Sequence, residues 1–202
     1  MKKHQVEQRS NEWLHLRKGK ITGTTLKSIM GTPKARQDAG YEIIAERLTV
    51  GVEEEYENPM ERGNRLEADA LAMFEFEIGK QVERIGLCED DTNSMIANSP
   101  DGLIGETEAV EVKCMGGKNH IKMWLTNEIP EEYKWQTIQY FVVNEKLEKL
   151  YFVGYNPDIP THPLHIIETT RKENQESIAE AKTAQEKFLS EVEKKLSEII
   201  KL

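Results

Sequence analysis

The sequence holds two cysteines, Cys88 and Cys114, which fit neither a disulfide framework nor the paired spacing of a zinc site. It has no run approaching the ~18 apolar residues that a membrane-spanning helix needs. It has no basic start followed by an apolar segment of the signal-peptide kind. Internal repeats and low-complexity linkers are also lacking. These absences lead us to expect a chain that meets no membrane and works in a reducing cytoplasm.

What is present is enough for a core under a heavily charged surface. The chain has 202 residues, of which 38% are hydrophobic and 31% charged. One domain over residues 1–202 is expected, with a basic helical part over 1–50 and a closing helix over 171–202. The net charge of −9 argues at first against nucleic acid. Its distribution argues otherwise. Residues 1–36 carry nine Lys or Arg against Glu7 and Glu12, a surplus of seven that leaves −16 on the remainder. Such a segment is either a local grip for phosphate or a solvated basic end.

Ser10 is placed to cap a helix carrying Trp13, Leu14 and Leu16, which breaks at Gly19. Thr22 to Met30 reads as a cap and a short helix, ended by Gly31 and Pro33. Tyr41 to Val50 reads as another short helix, and Glu53 to Glu57 as an acidic loop. Over Arg62 to Ile78, Leu66, Ala70, Met73 and Phe74 recur at helical spacing, and Gly79 ends the run. The period then changes. Gln81–Leu87, Ser94–Asn98, Gly102–Gly105 and Ala109–Cys114 read as strands with turns between them. Helices are expected at Lys118–Thr126 and Glu131–Val143, strands at Lys149–Tyr155 and Pro163–Thr169, and a long amphipathic helix from Arg171 to Leu202. This order is that of an α/β protein with a mixed central sheet flanked by helices.

Chemistry concentrates between Ser99 and Cys114. Asp101 sits in Ser99-Pro100-Asp101-Gly102, where Pro100 stiffens the approach and Gly102 permits a tight turn. If the chain folds back as a hairpin, Asp101 meets Glu111 at one end of adjacent strands. Alternation then puts Glu111 and Lys113 on one face and turns Val112 into the core, its carbonyl still free to serve as a ligand. Two carboxylates and a carbonyl suit Mg²⁺, which takes oxygen ligands. A lysine beside that cation suits a water attacking a phosphodiester. An amphipathic edge strand after a turn aspartate would give the same triplet. Glu67, on the flank of the Leu66/Ala70 face, reads as an outer ligand or a plain surface acid. Gln136 and Gln139, on an apolar helix, serve either the sheet or the reacting groups.

With Glu67, Asp101, Glu111-Val112-Lys113 and Gln136 in this order, the sequence resembles the PD-(D/E)XK nucleases. Within them it is similar to phage lambda exonuclease and the YqaJ-type viral recombinases. Five motifs carry the resemblance over about Trp13 to Pro157: Arg17-Lys18-Gly19-Lys20-Ile21-Thr22-Gly23-Thr24, Arg62-Gly63-Asn64-Arg65-Leu66-Glu67, Ser99-Pro100-Asp101-Gly102-Leu103, Glu111-Val112-Lys113-Cys114 and Tyr133-Lys134-Trp135-Gln136. The resemblance implies a restriction-endonuclease-like core and a Mg²⁺-dependent exonuclease, with Mn²⁺ as a substitute. Such an enzyme digests linear duplex DNA from 5′-phosphorylated ends and leaves a 3′ single strand. It also implies a homotrimeric ring, a single-strand annealing protein as partner, and the host cytoplasm of a phage or prophage. By position, Asp101, Glu111 and the Val112 carbonyl are metal ligands and Lys113 acts on the attacking water. Glu67 and Gln136 assist, Arg17 and Thr24 hold the 5′-phosphate, and Asp91 is a further acidic position. Met115-Gly116-Gly117 departs from the proline that many relatives have after the strand.

Two alternatives stand beside this: an endonuclease of the same superfamily, and a non-catalytic module that binds DNA ends or protein. His162 and His165, Cys114, and Trp13, Trp124 and Trp135 read as ordinary strand, core or contact residues. The closing helix is expected to pack on the domain or to dock a partner.

Overall fold

The computed structural model describes residues 1–48 and 61–200, with the backbone alone for 61–65. The expected acidic loop at Glu53–Glu57 and the end of the expected helix at Val50 lie outside the described residues. In chain order the elements are β1 (Lys2–His4), α1 (Asn11–Arg17), α2 (Gly23–Ile29), α3 (Pro33–Leu48), α4 (Glu61–Ile78), β2 (Leu87–Glu89), β3 (Ala97–Asn98), β4 (Gly102–Ile104), β5 (Glu108–Cys114), α5 (Gly117–Thr126), α6 (Lys134–Val143), β6 (Lys149–Tyr155), β7 (Leu164–Thr170) and α7 (Gln175–Ile200). A single 3-10 turn, Glu131–Tyr133, leads into α6.

The main sheet has the order β4-β5-β6-β7. The β4–β5 pair is an antiparallel hairpin, its turn eased by Gly105 at φ 62°. β5 and β6 run parallel, with Glu111 opposite Phe152 and Lys113 opposite Gly154. Parallel neighbours need a long crossover, and residues between Cys114 and Lys149 supply it through α5 and α6. A second, antiparallel sheet has the order β1-β2-β3.

Strand alternation divides the core. Val110 and Val112 face α4, where they pack with Ala70, Leu71, Phe74, Tyr151 and Val153. Ala109 faces the other way, into the larger core with Ile138, Phe141, Leu150 and Phe188 from α6, β6 and α7. Glu111 shares the Ala109 side and so projects toward α6. Within that larger core Gln139 is fully buried, and its amide donates to Ile21 O and Ala97 O and meets Gln185. It stitches α6 to the two chain segments beside it.

The mixed α/β architecture is the one expected, and four local readings change. β1 was not anticipated. The helix expected from Tyr41 begins at Pro33, because a proline fits the first helical turn, where its missing N–H is not needed. The strand expected over Gln81–Leu87 is mostly extended chain, bridged to Leu103 at Glu83, and the strand proper starts at Leu87. The strand expected over Ser94–Asn98 shortens to Ala97–Asn98.

Candidate active site

The hairpin brings Asp101 back beside the strand that carries Glu111, ten positions on in the sequence. Asp101 Oδ2 accepts the backbone N–H of Val112 at 2.7 Å. A strand residue directs its N–H and C=O to the same edge. The Val112 carbonyl therefore leaves β5 on the Asp101 side and not into the β5–β6 ladder. Lys113 Nζ forms an ion pair with Glu111 Oε1, so the two alternating residues do share a face.

Glu111 is 1% exposed. A carboxylate in such a place costs several kcal/mol in lost hydration unless it is partnered. Its second oxygen, Oε2, accepts a hydrogen bond from the Tyr140 phenol on α6. The same phenol oxygen accepts the Asp101 backbone N–H at 3.2 Å and lies 3.3 Å from Val110 O. Tyr140 thus bridges the turn that carries Asp101 and the strand that carries Glu111. The sequence reading missed it. The available signal was its spacing, one helical turn after Gln136 on the same face.

The charges are coupled. Burial, then the Glu111 carboxylate, push Asp101 well above the usual carboxylate range, against Lys113. Burial pulls the Lys113 ammonium down, but Glu111 and Asp101 outweigh it and hold it above its ordinary value. Burial and Glu111 raise the Tyr140 phenol well above its own. Two carboxylates this close, one preferring a proton and the other held by an ammonium, mark a place where added positive charge is stabilising.

Among the described residues no three His, Cys, Asp or Glu side chains assemble into a cation cage. The candidate donors are the oxygens of Asp101 and Glu111, linked through Tyr140, and the carbonyl of Val112, whose N–H is bonded to Asp101. Glu111 Oε1 is buried with the Lys113 ammonium as its partner. This is an all-oxygen set of two carboxylates and a carbonyl, and it fits Mg²⁺, which keeps several waters of its own.

Glu67 stands on the flank of α4, where its charge adds to the cost of ionising Asp101. Its carboxylate lies 3.3 Å from Arg84 and 3.7 Å from Arg9. Gln136, on the first turn of α6, packs against Gly23; a methyl there would come within 3.0 Å of the Gln136 Cγ. Arg17 stacks over Trp13 at 4.8 Å and donates to Thr22 Oγ1 at 3.2 Å, with Thr25 Oγ1 next to it. Thr24 is exposed at the start of α2. Asp91 is exposed and pairs with the amino terminus. Trp13 is buried with its indole N–H on Gly86 O and Ser99 Oγ, while Trp124 lies edge-on to His162. Burial raises the Cys88 thiol to about 12, so it is inert at neutral pH.

A YqaJ-like viral recombinase domain matches residues 12–146. Among solved structures, an alkaline exonuclease from Laribacter hongkongensis superposes with TM-score 0.86 at 30% identity, over 95% of this chain and 97% of that one. Its complex with dAMP gives the same score and identity, over 94% and 96%. A phage related exonuclease from Haemophilus somnus 129PT aligns with TM-score 0.59 at 16% identity, over 89% and 96%, a likeness of fold. No curated protein sequence matches the chain. With the domain match spanning most of the chain and the Laribacter likeness running nearly end to end, the chain belongs to the YqaJ-like viral recombinase family and is a nuclease.

Proposed function

We propose that this nuclease is a Mg²⁺-dependent exonuclease, with Mn²⁺ as a substitute. It acts on linear duplex DNA at 5′-phosphorylated ends, proceeds 5′ to 3′ and leaves a 3′ single strand. The observation that carries this is the convergence of Asp101, Glu111 and Lys113 where β4 and β5 meet, with Arg17 and the start of α2 as a separate candidate for the terminal phosphate. On this reading residues 1–202 act as one domain, in a homotrimeric ring in the host cytoplasm, with a single-strand annealing protein taking over the product strand.

Asp101, Glu111 and the Val112 carbonyl would hold the cation, whose chemistry is Lewis-acid polarisation of the phosphoryl oxygens. Lys113 keeps its proton, as the raised ammonium requires. It therefore serves as a donor that orients the attacking water and stabilises the charge growing on phosphate. Tyr140 holds the Glu111 carboxylate in one orientation. Gln136 and Glu67 position groups around the attacked phosphate.

The deciding assay is end-labelled linear duplex with Mg²⁺, run with 5′-phosphate and 5′-hydroxyl ends beside a supercoiled plasmid. Wild type is expected to shorten the phosphorylated duplex and leave the closed circle intact. Asp101→Asn keeps the shape and the acceptor for Val112 N–H, so the fold is retained while cleavage falls by 10²-fold or more, on the order expected for a lost transition-state charge partner. Nicking of closed circles, or normal digestion by Asp101→Asn, would overturn the reading.

A further inference from the structure

Arg9 has φ 70°, a left-handed conformation that residues other than glycine rarely adopt. It is held there from both sides. Gln8 donates to Ile85 O at 3.3 Å and to Pro100 O at 3.0 Å, which fastens the chain before Arg9 to the segment leading into Asp101. Ser10, the next residue, caps α1. Between these anchors Arg9 sends a half-exposed guanidinium to within 3.7 Å of Glu67. Arg84 reaches the other Glu67 oxygen at 3.3 Å and is 53% exposed. Two backbone bonds between Glu83 and Leu103, of 2.7 and 2.9 Å, fix the chain at Arg84 beside the start of β4.

Stability does not account for this arrangement. A loose, exposed ion pair returns less than a strained non-glycine residue costs. One carboxylate also cannot satisfy two guanidiniums, each with five N–H donors. The pair keeps a surplus positive charge and unused donors facing solvent, next to the carboxylates of the candidate site. Guanidinium forks match phosphate oxygens two by two.

We propose that Arg9 and Arg84 form a two-guanidinium clamp for a phosphate of the DNA backbone next to the attacked one, with Glu67 holding both side chains ready. The clamp rests on the nuclease reading but is tested apart from it. The probe is a fluorescein-labelled duplex, titrated by anisotropy in metal-free buffer over a range of salt. Arg9→Gln and Arg84→Gln are each expected to weaken binding roughly three- to tenfold. The double variant should give a log Kd against log salt slope shallower by about 0.9, the change expected when one phosphate is no longer neutralised. Lys182→Gln, which breaks a surface pair between α7 and Glu145 outside the basic segment, is the control and should leave the slope unchanged.

Arg9→Gly separates clamp from scaffold. It relieves the backbone and should melt no lower than wild type, yet bind DNA as weakly as Arg9→Gln. A wild-type slope in the double variant, or wild-type binding by Arg9→Gly, would overturn the clamp. Cleavage by wild type is measured alongside. Cleavage with an unchanged slope removes the clamp and leaves the nuclease reading standing. A shallower slope with no Mg²⁺-dependent product keeps the clamp and removes that reading.

Discussion

Glu111 carries its charge where water cannot reach it, and two neighbours make that tolerable. Lys113 neutralises one oxygen and the Tyr140 phenol donates to the other. The division leaves Oε1 as the oxygen toward which a cation can compete with an ammonium, while Oε2 is already engaged. Tyr140→Phe removes one oxygen atom and leaves the ring. It strands a buried acceptor, at a cost of about 1–3 kcal/mol, and frees the carboxylate to turn. Loss of such a supporting bond typically weakens a metal site 10- to 100-fold. Calorimetric titration with Mn²⁺ is expected to show a fall in affinity of about that size, partly restored in activity by excess metal. An unchanged Mn²⁺ affinity would reduce Tyr140 to a packing residue. At this scale the sequence exposed the acids and the lysine, because a strand's period of two fixes which residues share a face. It did not expose Tyr140, since a tyrosine on an apolar helix looks the same whether its hydroxyl meets water or a carboxylate.

The hairpin β4–β5 converts those residues into a site, and its tightness can be measured. A methyl on Gly102 would lie 2.0 Å from Val82 Cγ1 and 3.0 Å from Val110 Cγ1. Overpacking of this kind costs about 1–3 kcal/mol. Gly102→Ala should therefore lower the Tm by roughly 2–4 °C per kcal/mol in a chain of this length. Because Asp101 is the preceding residue, cleavage should fall further than the melt accounts for. A melt lowered with cleavage per folded molecule unchanged would show that the turn tolerates the shift. Long elements such as α4, α7 and the β5–β6 pair were legible from their periodicity. β1 was not, because Lys2, Lys3 and His4 offer no apolar signal. Its strand exists through pairing with β2 and through Lys2 and His4 beside the buried Glu89, which Lys20 also meets at 3.0 Å. Such a strand is specified by its partner, and a sequence window contains no partner.

Over the whole molecule the charge is divided, with the positive surplus in the first 36 residues and −16 spread over the rest. An acidic body repels DNA along most of its surface, so binding must concentrate where the basic segment lies, and it should weaken steeply with salt. Arg17 is one of those basic residues held on two sides, its guanidinium 4.8 Å from the Trp13 ring centroid and bonded to Thr22. A guanidinium held in one plane discriminates a terminal phosphate from a hydroxyl better than a mobile lysine does. Arg17→Ala is expected to erase most of the preference for phosphorylated 5′ ends and to shorten each run along the duplex. Mn²⁺ affinity should not move, because Asp101, Glu111 and Val112 belong to the β4–β5 hairpin. The check is the ratio of initial rates on 5′-phosphate and 5′-hydroxyl duplexes, taken at two salt concentrations. Wild type should show a ratio well above one and the variant a ratio near one at both. Equal ratios in the two proteins would move the phosphate grip away from α1 and α2, while leaving the hairpin chemistry as described.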